Sequence, residues 1–241
     1  MSLPFLKSHQ IVGKVDVYCF EVNRLGVVYD VKPLDTIDRI MSDKDKFGWR
    51  YRVKVALGLV RLLKLYHSNE PKYLVRNLSA AHVIVDKDFN PILVDFAMIC
   101  GGGGGRNCCT SNFLLFLQVV WAERTDVYTL GVVVFELILK DTSDELMRLI
   151  LKRPIKNKHY YTFAEIVCGR YGEELEKALN GEMMHILVHA HLQRDPDYDA
   201  DNGTKISMLA LRCVSYRTPT MQEVVGMLEE LHVVTKHGGM A

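Results

Sequence analysis

The chain has 241 residues and is 49% hydrophobic, enough to bury one sizeable core as a single domain or a domain with extensions. With 30 basic against 29 acidic side chains the net charge is +1, so there is no general electrostatic signature for nucleic acid. The six cysteines (Cys19, Cys100, Cys108, Cys109, Cys168, Cys213) show no C-x-x-C spacing, which argues against a zinc ribbon or disulfide framework and fits a reducing compartment. Met1 to Lys7 carry no basic-then-apolar leader and no run of about 18 apolar residues occurs, so neither a targeting nor a spanning segment is expected.

In chain order, residues 16–22 and 27–31 are β-rich runs joined by Asn23-Arg24-Leu25-Gly26, which predicts an antiparallel hairpin with a four-residue loop. A lone hairpin is marginal in water. From Trp49 to His67, Trp49, Val53, Ala56, Val60 and Leu63 recur at three and four residues, while Arg50, Lys54, Arg61 and Lys64 fall on another face. That pattern predicts an amphipathic helix with a solvated basic side. Within residues 74–97, two short β-branched runs at 83–85 and 92–94 flank Asp86-Lys87-Asp88-Phe89-Asn90-Pro91, so a second small hairpin is expected. Arg76-Asn77 leads in and Asp95-Phe96-Ala97 leads out.

The glycines at 101–105 follow a strand, but they lack the lysine of a phosphate-binding loop and the spacing G-x-G-x-x-G, so they read as a flexible loop. Cys108-Cys109 beside Arg106 read as exposed thiols. Residues 113–121 form an apolar run that needs burial or a partner, which makes Phe113, Phe116 and Trp121 partner-binding candidates. Residues 125–139 are apolar almost all round, the pattern of a helix buried in a helical lobe. Asp126 stands at its start, where a carboxylate accepts backbone N–H groups and complements the helix dipole.

His185, His189 and His191 include one i,i+4 pair, but no carboxylate or cysteine pattern supports a metal, and a packed or solvated helix is expected. Asp195, Asp197, Asp199 and Asp201 imitate the start of a calcium loop; Ala200 replaces its glycine and Ile206 its glutamate, so calcium is not expected. Residues 206–214 read as a helix. Thr220 and Glu223 form a capping box opening another, with Met221, Val224, Val225, Leu228 and Leu231 as its buried stripe.

Residues 75–82 and 95–97 resemble the protein-kinase signature H-R-D-L-x-x-x-N followed by D-F-G. Arg76, Leu78, Asp95 and Phe96 match. Val75 stands at the His, Asn77 at the catalytic Asp, Ser79 where many Ser/Thr kinases carry Lys, and His82 at the metal-binding Asn. The start of the 125–139 helix resembles D-V-Y-S-F-G-V-x-x-x-E-L of plant receptor-like kinases. The C-terminal part resembles their A-x-x-C-x-x-x-x-x-R-P-T-M-x-E-V ending, with Thr218 inserted between Arg217 and Pro219.

This resemblance covers residues from about 10 to 235, and its texture is similar to the wall-associated-kinase-like group. It implies an α+β, protein kinase-like fold, mainly the helical C-lobe with a short N-lobe remnant. Residues 1–34 would be the remnant (hairpin and hinge), 35–235 the C-lobe and 236–241 a tail. The glycine-rich loop, the V-A-I-K lysine and its glutamate partner have no counterpart, so an N-terminally truncated domain is expected. Asp126 is expected to be structural, holding the backbone of the catalytic loop. Arg217 is expected to be structural too, with another partner or facing solvent, because A-P-E is missing.

By the same resemblance no residue is expected to be catalytic, since the loop is degenerate at Arg76, Asn77 and Ser79. Asp95 and His82 would be a remnant of a Mg-ATP site, with no metal ligand beyond Asp95, and ATP and Mg²⁺ would bind only if residual affinity persists. The expected function is a pseudokinase adaptor in plant receptor or immune signalling, binding receptor kinases or intracellular immune receptors and no nucleic acid. It would be cytoplasmic and drawn to the plasma membrane by a partner. The alternatives are an ATP-binding serine/threonine kinase with missing or weak activity from an incomplete N-lobe, and a decaying copy with no independent role.

Overall fold

The helix Trp49–His67 is the element around which the lobe is packed. The computed structural model describes residues 14–21, 24–41, 46–69, 72–75, 78–93, 99–101, 123–139, 187–215 and 218–240. In chain order these form β1 (Lys14–Glu21), β2 (Arg24–Asp30), β3 (Asp35–Thr36), α1 (Ile37–Ile40), α2 (Trp49–His67), β4 (Tyr73–Val75), β5 (Val83–Val85), β6 (Pro91–Leu93) and β7 (Ile99–Gly101). The helices α3 (Glu123–Ile138), α4 (Ala200–Val214), α5 (Met221–Glu229) and α6 (His232–Lys236) follow. Strands pair antiparallel: β1 with β2, β5 between β3 and β6, and β4 with β7. Short antiparallel strands segregated from packed helices make this an α+β fold. No helix among the described residues is long and apolar enough to cross a membrane.

The first hairpin forms, but its loop is tighter than the expected Asn23-Arg24-Leu25-Gly26. Pairing continues through Cys19 opposite Gly26 to Glu21 opposite Arg24, after an irregularity between Val15 and Val17. With pairing carried to Glu21 and Arg24, Leu25 and Gly26 join the ladder instead of the loop, which satisfies backbone groups that a four-residue loop would leave open.

Along α2 the predicted stripe Trp49, Val53, Ala56, Val60 and Leu63 is buried, but so are Val55, Leu57, Leu59, Leu62 and Tyr66. The solvated basic side is thereby corrected: α3, α5, β4 and β6 pack around the helix, and Arg50, Lys54, Arg61 and Lys64 are half-buried. Half-burial of such side chains places aliphatic stems against the fold, and the heads of Lys54 and Arg61 find acceptors. Lys54 Nζ donates to the carbonyl of Asp88 at 2.9 Å, and Arg61 Nη2 meets Glu229 Oε1 at 3.0 Å. Arg52, which the periodicity did not single out, is 7% exposed and donates to the carbonyls of Phe47 (2.8 Å), Leu137 (2.8 Å) and Met41 (3.2 Å). Burial lowers its pKa to about 10, so the guanidinium stays charged at neutral pH.

The β5–β6 hairpin crosses α2 at Gly58, where a Cβ would lie 2.5 Å from the ring of Pro91. Its turn is held by Asp86, whose Oδ1 accepts from Asp88 N at 2.9 Å and Asn90 N at 2.8 Å. Phe89 has φ 60°, a left-handed conformation uncommon outside glycine, and its ring stacks on Tyr51 at 4.1 Å and Phe47 at 5.6 Å. Helix α3 meets α4 at Gly131, where a Cβ would come within 2.6 Å of Cys213 Cβ.

Helix α4 begins at Ala200, earlier than the expected residue 206, because the side chain of Asp199 caps it by accepting from Asn202 N at 2.9 Å. The neighbouring carboxylates that imitate a calcium loop also have partners within the fold. Asp195 Oδ2 accepts from Trp49 N at 2.9 Å, capping α2 from a distant segment. Asp197 Oδ1 takes Lys236 Nζ at 2.8 Å and His237 Nε2 at 3.2 Å. His189 and His191 are not on the helix expected for them: His189 Nδ1 accepts from His191 N at 3.0 Å in a turn leading to the short helical turn Leu192–Arg194. Buried Val188, bridged to Leu139, fixes the chain there in extended form. The Thr220–Glu223 capping box and the buried stripe of α5 are present as predicted.

Because Phe89 carries both the stacking and an unfavourable φ, Phe89→Ala removes the aromatic contacts and keeps the strain. The expected loss is about 3 kcal/mol of folding stability by denaturant titration. A loss below about 0.5 kcal/mol would show that the turn does not depend on the ring.

Candidate functional site

Two paired strands bracket the region that sequence singled out. Val75, the last residue of β4, lies opposite Ile99 of β7, and Val83 of β5 lies opposite Leu93 of β6. In sequence, positions 76–82 and 94–98 fall between these paired strands. Arg76, Asn77, Asp95, Phe113, Phe116, Trp121, Arg217 and His185 lie outside the described residues. Ser79, His82 and Asp126 lie within them.

Asp126 has no exposed surface and sits in the first turn of α3. Its Oδ2 accepts from the backbone N–H of Val75 at 2.9 Å and from His67 Nε2 at 2.9 Å. The carboxylate thus ties the end of β4, where the loop begins, to the last turn of α2. A buried carboxylate needs hydrogen-bond donors in place of water, and here a backbone N–H and an imidazole nitrogen both reach Oδ2.

Beyond Val75, Leu78 is buried and Ala80–His82 forms a 3₁₀ turn. The Ser79 hydroxyl and His82 Nδ1 share a 3.1 Å hydrogen bond, and His82 N donates to the Ser79 carbonyl at 3.1 Å. Both side chains are half-buried. Beneath the turn, the Glu136 carboxyl of α3 accepts from Ala80 N–H. Burial raises Glu136 to about 7, with the Ala80 bond opposing and the Asp38 charge reinforcing. Glu136 was not singled out from sequence, although a lone carboxylate inside VVVFELI was a visible signal. His67 and Asp195 carried no comparable sign, since their partners are far away in the chain. Among the described residues, no group of three or more His, Cys, Asp or Glu side chains could hold a metal.

The β1–β2 pair, the linking segment, the loop bracketed by β4–β7 and β5–β6, and the helices packed on α2 make a protein kinase-like domain, chiefly its helical lobe with a short part of the small lobe. Homologues of the chain are plant serine/threonine kinases of the receptor-like cytoplasmic kind. It is 26% identical to the probable serine/threonine-protein kinase PBL11 of Arabidopsis thaliana over 94% of this chain and 58% of that protein. Identity is 24% to the serine/threonine-protein kinase BIK1 of Arabidopsis thaliana, over 93% of this chain and 57% of the relative. It is 23% to the EPD1-interacting receptor-like cytoplasmic serine/threonine-protein kinase of Nicotiana benthamiana, over 94% of this chain and 49% of that one. The chain thus spans about half the length of the curated relatives it matches. No family model matches.

Replacing Asp126 with Ala leaves Val75 N–H and His67 Nε2 buried without this acceptor. Breaking such a pair from one side is expected to cost about 3 kcal/mol or more in denaturant titration, and a cost under about 1 kcal/mol would contradict the anchoring role.

Proposed function

We propose that this chain is a catalytically inactive kinase-like domain that acts as a protein-binding adaptor in plant receptor or immune signalling. The observation that carries the reading is His82. It stands at the metal-binding position of the kinase loop, and its Nδ1 is bonded to Ser79 Oγ. Magnesium is a hard cation that prefers oxygen and near-octahedral geometry, so this donor does not fit a Mg-ATP site. Asn77 adds to the case from sequence. Its amide can hydrogen-bond a hydroxyl but cannot accept the proton, and loss of a general base costs on the order of 10²–10⁴ in rate. Ser79, in place of a lysine, offers no charge to a transferring phosphoryl group.

The frame around these positions is built from other atoms. Val75 N–H, Asp126 and His67 hold the loop's entry whatever stands at 77 and 82. A surface so supported can keep its shape for a protein partner after phosphoryl transfer is lost. Receptor kinases and intracellular immune receptors are the proposed partners, met in the cytoplasm and, through them, at the plasma membrane. Phe113, Phe116 and Trp121 are the proposed contact residues. The second reading, an ATP-binding serine/threonine kinase with weak activity, is favoured by the relatives' own description as kinases and by the retained Asp95.

The two readings part in a phosphoryl-transfer assay with radiolabelled ATP, magnesium and a general protein substrate. The purified chain is expected to show no transfer above a no-enzyme control, and Asn77→Asp alone is expected to leave it inactive because His82 and Ser79 remain. Transfer by the unmodified chain, or its recovery on the single change, would favour the kinase reading.

A further inference from the structure

The Glu136 side chain sits below the turn Ala80–His82 with its two oxygens in unequal surroundings. One side of the carboxyl receives Ala80 N–H, while Oε2 is buried with no hydrogen-bond partner among the described residues. Asp38 of α1 is the charge that acts on it, and α1 packs against the same turn. On α1, Arg39 faces Asp35 at 4.0 Å, and several other titratable groups around α3 have bonds of their own. From α2, Arg52 donates to the carbonyls of Phe47, Met41 and Leu137, and His67 to Asp126. From α4, Cys213 packs at Gly131, its thiol pushed up to about 12 by burial. On β4, Tyr73 meets the ring of Tyr66, and on the turn His82 bonds to Ser79. No cation among these groups compensates Glu136.

We propose that Glu136 is a proton-operated anchor for the turn Ala80–His82, holding it closed when neutral and loosening it when ionised. A neutral carboxyl accepts Ala80 N–H and leaves no buried charge. The ionised form strengthens that bond but strands a charged oxygen without a donor, next to the like charge of Asp38. Opening the turn brings water to Oε2 and relieves both costs. The turn lies directly after the loop that begins at Val75, so the proton on Glu136 sets how firmly the end of that loop is held.

The sign follows from linkage. An acid held at about 7 in the closed form and 4.5 when exposed binds its proton more tightly when closed. Its contribution is therefore full below about pH 4.5, declines as pH rises towards 7 and is level above. That difference corresponds to about a 300-fold change in the closed-to-open equilibrium.

The test is a pH titration of the carboxyl-carbon shift of Glu136 in glutamate-labelled protein, with amide exchange at Ala80 followed in parallel. The expected midpoint is near 7, with Ala80 protection falling over the same range beyond the intrinsic rise in exchange. Denaturant titrations of the unmodified chain should lose about 300-fold in folding equilibrium between about pH 4.5 and 8 relative to Glu136→Gln, which keeps an oxygen for Ala80 N–H and cannot ionise. A midpoint near 4.5, constant Ala80 protection, or parallel curves for the two proteins would overturn the proposal. If the Gln variant does not fold, the carboxyl titration and the Ala80 exchange decide by themselves.

Discussion

A single carboxylate, that of Asp126, joins the parts on which the rest of the lobe depends. It has no exposed surface in a largely apolar helix, so ionisation there is tolerable only with donors already in place. The donors are the backbone of Val75 and the imidazole of His67. One fixes the point where the loop leaves β4, and the other fixes the last turn of α2. Because β7 pairs with β4, and β5–β6 lies across α2 at Gly58, both ladders that bracket the loop are referred to the same helix. None of these bonds uses the side chain of Asn77, Ser79 or His82. The frame therefore does not depend on which side chains stand there.

The opposite end of α2 is held in a related way. Asp195 caps the first turn through Trp49 N–H across 146 residues of sequence, and Arg52 joins the carbonyls of Phe47, Met41 and Leu137. Charged groups from remote segments thus bind both ends of the central helix, while its apolar faces fill the core between them. Glu136 is held differently. A backbone N–H is its hydrogen-bond donor, and burial, reinforced by the charge of Asp38, raises its carboxyl towards neutrality.

What sequence conveyed was local. The span of α2, the buried character of α3, the β5–β6 hairpin and the capping box of α5 all rest on periodicity or on residues within four of one another, and each is present. The reading of Asn77 and His82 rests on resemblance alone, since no spacing rule gives either residue a meaning of its own. What sequence did not convey was long-range. The basic residues of α2 look solvated until α3, α5 and β6 are packed around them, and the bond from Arg52 to Leu137 spans 85 residues. The aspartates at 195, 197 and 199 look like a ligand set until each is seen capping or pairing with a different element. The early start of α4 and the tight first hairpin are local by contrast: a cap from Asp199 to Asn202 N and pairing up to Glu21 and Arg24 satisfy backbone groups there.

The account's central claim is that this kinase-like frame persists without a competent Mg-ATP site. A thermal-unfolding titration of the purified chain with ATP, with and without magnesium, tests it most directly. The account predicts cooperative melting with no shift at millimolar nucleotide. A magnesium-dependent rise in stability, of the size expected for a native-state ligand at about 100 times its dissociation constant, roughly 2.7 kcal/mol, would contradict it.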